Sequence, residues 1–90
     1  MKHFNIHITG KVQGVFFRAY TKQKAEELGI KGFVRNEADG SVYVEAEGSI
    51  NSLEQLIAWL HNGPEMAVVE SVEVNEAGLQ NFAIFEMRRI

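Results

Sequence analysis

The stretch Thr9-Gly10-Lys11-Val12-Gln13-Gly14-Val15-Phe16-Phe17-Arg18 holds the residues of this chain best suited to chemistry. Its two glycines allow a tight turn and a close approach of backbone to ligand. A helix beginning at its end aims free N–H groups and a partial positive charge back at the loop. Arg18 adds a planar fork of donors suited to phosphate oxygens. Loop, helix start and arginine together describe an anion site, phosphate being the best-fitting anion. Common nucleotide loops do not match: Gly10-Lys11 is followed by Val12 rather than a hydroxyl, and no G-x-G-x-x-G is present. A second candidate is Asn36, which strand parity places on the same face as Val34, at a strand's end. Spacing alone favours an asparagine that caps the following turn. It leaves open an amide aimed at a ligand, since a buried amide needs a partner.

These residues need elements to position them. Phe4, Ile6 and Ile8 alternate from His3 to Thr9, a strand signal. Arg18 to Leu28 reads as a helix, with Phe17, Thr21, Ala25 and Leu28 along one side and Gly29 as its stop. Lys31 to Asn36 is a short strand, Glu37-Ala38-Asp39-Gly40 a hairpin loop. Ser41 to Glu47 is a strand with Val42, Val44 and Ala46 inside and Tyr43, Glu45 and Glu47 outside. Ile50, Leu53, Leu56, Ile57 and Leu60 have helical spacing, with Ser49 or Asn51 as cap and Gly63-Pro64 as the end. Val68 to Asn75 is a strand with Val68, Val72 and Val74 on one face. Phe82 to Met87 is a short final edge strand. The order β-α-β-β-α-β, each element with one apolar face, predicts a two-layer α+β sandwich. Two helices cover one face of an antiparallel sheet, and the right-handed crossover rule orders its strands 4-1-3-2, the ferredoxin-like fold.

Several side chains are expected away from the site. His3 and His7 read as solvent-facing, Phe17 and Trp59 as packing residues, and Arg35 as pointing into solvent. Phe16 is expected to pack beneath the loop rather than narrow its entrance. The Arg88-Arg89-Ile90 tail has no assigned role.

Ninety residues predict one domain, 1–90. Residues 1–35 carry seven basic side chains against two acidic, a net of +5, while residues 36–90 carry two against ten, a net of −8. The basic first third suits an anionic ligand. The acidic remainder argues against a broad nucleic-acid surface. The chain has no cysteine, so disulfide and thiol chemistry are excluded. No apolar run approaches a membrane span, and the N-terminus alternates instead of forming a signal-peptide block. A cytoplasmic protein is expected. With His61 far along the chain from His3 and His7, no metal site is expected.

Gly10-Lys11-Val12-Gln13-Gly14-Val15-Phe16-Phe17-Arg18 resembles the G-x-V-Q-G-V-x-F-R motif of acylphosphatases. Gly32-Phe33-Val34-Arg35-Asn36-Glu37-Ala38-Asp39-Gly40-Ser41-Val42 resembles that family's second motif, G-x-V-x-N-x-x-D-G-x-V. Gly63-Pro64, followed by Ala67 and Val68, is similar to a third, weaker one. The resemblance implies hydrolysis of the carboxyl-phosphate bond of small acyl phosphates, releasing a carboxylate and inorganic phosphate. It implies that Arg18 binds the phosphate and that Asn36 orients the attacking water. Backbone N–H groups of Gln13, Gly14, Val15, Phe16, Phe17 and Arg18 would form the cradle. It further implies no metal and no covalent intermediate. No cofactor is expected, and the expected partners are a small-molecule acyl phosphate and inorganic phosphate, with no nucleic acid and no membrane, the protein being a monomer. The chemistry is compatible: a carboxylate leaves easily, so catalysis reduces to positioning and charge stabilisation.

Two other functions fit parts of this sequence. RNA-recognition modules share this strand order, and Lys31-Gly32-Phe33 resembles the start of their motif, but Val34, Arg35 and Asn36 break it. A domain that binds a phosphorylated ligand without turnover would keep the cradle. The presence of both Arg18 and Asn36 argues against that.

Overall fold

The computed structural model describes residues 1–89; Ile90 of the tail lies outside the described residues. The elements are β1 (Lys2–Lys11), α1 (Phe17–Glu27), β2 (Lys31–Asn36), β3 (Val42–Gly48), α2 (Ile50–Asn62), β4 (Val68–Ala77) and β5 (Phe85–Arg88). The sheet order is β4-β1-β3-β2-β5, the expected 4-1-3-2 with β5 added beside β2. Ile6, Ile8, Val34, Val44 and Ala46 line the inner face with no exposure. Against them pack Phe17, Thr21 and Ala25 of α1 and Leu53, Leu56 and Leu60 of α2. The Ser49 hydroxyl accepts from the Ser52 N–H at 3.1 Å and caps α2. No helix among the described residues is long and apolar enough to cross a membrane.

The sheet is mixed rather than antiparallel, because β5 pairs parallel to β2, Gly32 opposite Phe85 and Arg35 opposite Arg88. The cause is the chain's path. β4 and β5 lie at opposite edges, so residues 78–84 must cross the sheet's outer face. That crossing overturns the expectation that His3 and Glu47 face solvent. His3 has no exposure and Glu47 only 2 %. His3 Nδ1 bonds Glu47 Oε2 at 2.9 Å and its Nε2 bonds Glu45 Oε1 at 2.6 Å. The N–H groups of Gln80 and Phe82 donate to the Glu47 carboxylate at 2.6 and 3.2 Å. The Phe82 ring stacks on His3, centroids 5.8 Å apart, and meets Phe33 edge-on. Beside this cluster the Tyr43 hydroxyl donates to Glu45 at 2.6 Å. Burial, reinforced by that carboxylate, pushes the Tyr43 pKa up to about 12, so it stays a donor.

β4 also departs from simple alternation. Its register against β1 shifts between Thr9 and Gly10, leaving Glu70 as a bulged residue. Val69 and Val72 consequently pack toward the core, while Val68 is 60 % exposed and Val74 38 %. Gly10, at φ 124°, makes the bulge possible, because a Cβ there would strike the Val68 carbonyl and come within 2.8 Å of the Glu70 nitrogen.

Burial alone would raise the Glu47 pKa, but the Gln80 N–H, the His3 ring and the N–H groups of Phe82 and Asn81 outweigh it and hold the carboxyl below its ordinary 4.5. The folded chain therefore binds this proton more weakly than the unfolded chain. The stability so gained is complete above the ordinary pKa and is lost as pH falls through the lower folded value. Glu47→Gln is expected to cost about 1–3 kcal/mol at neutral pH, since one acceptor oxygen is replaced by an NH2 donor that faces buried donors and the remaining bonds lose their charge assistance. It should also flatten the acid limb of a Tm-against-pH curve, measured by circular dichroism.

Candidate active site

The segment 12–16 leaves β1 and enters α1 as an irregular loop. Val12 and Val15 anchor it, with exposures of 1 % and 4 %. Gln13 ties it sideways: its Nε2 donates to the carbonyls of Glu37 at 2.8 Å and Ser41 at 2.9 Å. Those carbonyls belong to the β2–β3 hairpin, so one side chain fixes the loop against the turn that follows Asn36. The hairpin is braced from within, the Glu37 N–H donating to the Ser41 carbonyl at 2.8 Å. Asp39 Oδ1 accepts from the Ser41 hydroxyl at 2.6 Å and the Ser41 N–H at 2.9 Å, which hold its carboxyl below the usual range. His7 Nε2 reaches the same hydroxyl at 2.7 Å.

Gly14, at φ 73°, turns the loop where an L side chain is disfavoured. Phe16 adopts φ 62° without being glycine and is 71 % exposed. This overturns the expectation that it packs beneath the loop. Left-handed backbone at such a residue costs on the order of 1–3 kcal/mol and is tolerated only when the surroundings impose it. Phe16 is also the N-cap of α1, and no side chain caps that helix. The first-turn N–H groups therefore keep their capacity to bind an anion.

Arg18 is half-buried on the first turn of α1, and its Nη1 donates to the Arg88 carbonyl at 2.9 Å. One of its five N–H donors is thus spent on orientation and the others remain available. The tail residue Arg88, given no role from sequence, is engaged twice more. Its guanidinium lies 4.0 Å from the Phe33 ring centroid and bonds Glu86 at 2.9 Å.

A cleft of about 300 Å³ collects Gly14, Phe16, Phe17, Arg18 and Asn36, with Met87 on its far wall. Arg18 is the only charged residue among those lining it. Gln13 and Val15 do not line the cleft; their side chains go to the hairpin and the core. Asn36 is half-buried, and among the described residues its side-chain amide is in no hydrogen bond. Arg35, with opposite parity, turns away and lies 5.0 Å from the Tyr43 ring centroid. Such a cleft can bind a compact anion and present an amide to it. Sequence reading misses the Gln13 side-chain tie and the Arg88 carbonyl, because their partners lie 24 and 70 positions away and leave no local signal. Gln13→Ala is expected to lower unfolding free energy by about 1–2 kcal/mol, read by urea denaturation, through loss of its two hydrogen bonds.

The family model for acylphosphatase matches residues 4–87. An acylphosphatase of Salinibacter ruber is 47% identical over 89 residues, covering 98% of this chain and 94% of the relative. The crystal structure of acylphosphatase from Bacillus subtilis superimposes with a TM-score of 0.96 at 31% identity, covering 98% of this chain and 99% of that one. The structure of an acylphosphatase from Coxiella burnetii gives 0.94 at 38% identity, covering 97% and 92%.

Proposed function

The chain belongs to the acylphosphatase family, hydrolases of acyl phosphates, and from that premise we propose how its residues divide the reaction. The phosphoryl group enters the cleft, held by the Arg18 guanidinium and by loop N–H groups from Gln13 to Arg18. Asn36 orients a water in line with the scissile bond. The P–O bond to the acyl oxygen breaks and its electron pair leaves on the carboxylate. The water oxygen forms the new P–O bond, and its proton passes to a phosphoryl oxygen. A neutral amide cannot accept that proton, and the cleft lining offers no carboxylate or imidazole. Fixed donors meeting the redistributing charge supply most of the rate.

The observation that carries this reading is the gathering of Arg18, the uncapped start of α1 and Asn36 around one cleft. An amide with no hydrogen-bond partner of its own among the described residues, lining the same cleft as the arginine, is available to orient a water. Positive charge comes here from Arg18 and backbone dipoles, so the reading includes no metal. It also takes residues 1–90 as one domain working as a cytoplasmic monomer, for which a cysteine-free chain is suited.

Arg18→Ala is expected to lower kcat/KM on acetyl phosphate by about 10²–10³ or more and to weaken inhibition by inorganic phosphate. Asn36→Ala should lower kcat strongly and leave phosphate inhibition near normal; wild-type turnover in that variant would refute the water-orienting role. Turnover should be unchanged by a chelator, as followed by phosphate release.

A further inference from the structure

A second cleft, of about 500 Å³, opens beside the first. Phe16 is a wall of both. The second cleft is built from the loop, from Tyr20 of α1, Trp59 of α2 and the segment Gly63-Pro64-Glu65-Met66. Asn36 and β5 contribute only to the first. Phe16 is therefore the partition between the cleft that holds Asn36 and this second cleft. In-line displacement needs water and leaving group on opposite sides of phosphorus. With water at Asn36, the leaving acyl oxygen faces away from that strand, toward the loop side where the second cleft opens.

The lining has a definite chemistry. Phe16 is 71 % exposed, Met66 65 % and Tyr20 49 %, an apolar patch of large side chains left open to solvent around one hollow. Phe16 keeps this exposure in a left-handed conformation disfavoured for its type. Trp59 forms the floor, tilted against buried Phe17 with centroids 5.9 Å apart. Glu65 is the single charged lining residue. We propose that this cleft receives the acyl group and makes the protein selective for acyl phosphates whose acyl part is apolar and uncharged, aromatic ones most of all. Aromatic walls offer area and stacking edges to a flat ring. The carboxylate of Glu65 repels an acyl group carrying its own negative charge. The inference rests on the phosphoryl placement proposed above and adds the class of substrate.

The test compares kcat/KM for acetyl, benzoyl and succinyl phosphate in wild type, Tyr20→Ala, Met66→Ala and Glu65→Gln. Acetate and benzoate are leaving groups of similar basicity, so changes in their ratio between variants report the cleft. Tyr20→Ala and Met66→Ala are each expected to lower benzoyl phosphate turnover about tenfold with little effect on acetyl phosphate. Glu65→Gln should raise succinyl phosphate turnover several-fold and leave benzoyl phosphate unchanged. Trp59, the only tryptophan, gives a readout free of catalysis: benzylphosphonate should change its fluorescence more than methylphosphonate does. If the benzoyl-to-acetyl ratio is the same in all four proteins, the acyl cleft is wrong while hydrolysis stands. If wild type fails to hydrolyse acetyl phosphate at all, the underlying reading fails instead.

Discussion

The pairing of β3 between β1 and β2 is the constraint on which the site depends. β3 runs antiparallel to both, so β1 and β2 are parallel to each other and end on the same side of the sheet. Val42 faces Ile8 on one flank and Asn36 on the other. Two strand spacings of about 4.8 Å put Asn36 roughly 10 Å from β1, near the point where the loop departs. That span suits a bound phosphoryl group and a water. A register slip of one residue would turn Asn36 to the outer face and leave Arg18 with nothing to work against.

On that frame the loop is held by unlike means. Valines at 12 and 15 seat it in the core, Gln13 binds it to the hairpin, and Arg18 is held by β5. Rigid fixation leaves the donors already oriented when an anion arrives, so little reorganisation opposes binding. The unfavourable backbone of Phe16 is sustained by these surrounding contacts. It is the local conflict expected where a chain gives up stability for function.

Much of this was legible in the sequence because it follows from alternation. The inner faces of β1, β2 and β3 and the apolar stripe of α2 each lie on a regular period, and Arg18 and Asn36 fall at element ends that the period defines. What alternation cannot see is a cover from elsewhere. His3 and Glu47 read as solvent-facing because their polarity and parity agree, yet residues 78–84 cross above them without any periodic pattern. The bulge at Glu70 reverses parity partway along β4, so Val68 and Val69 exchange places. Phe16 was misread because its backbone conformation reflects the loop's closure, and its type favours a buried place. The gathering of Arg18 and Asn36 in one cleft required the strand register, which no single segment encodes.

The bond from Arg18 to the Arg88 carbonyl has a consequence for how the molecule is made. β5 leaves the ribosome after β1 to β4, so until it emerges Arg18 lacks its acceptor and the core lacks Phe85. The arginine is therefore set in place only once β5 has been made. Competence of the cleft then depends on β5, and a product truncated before that strand would carry an unanchored Arg18.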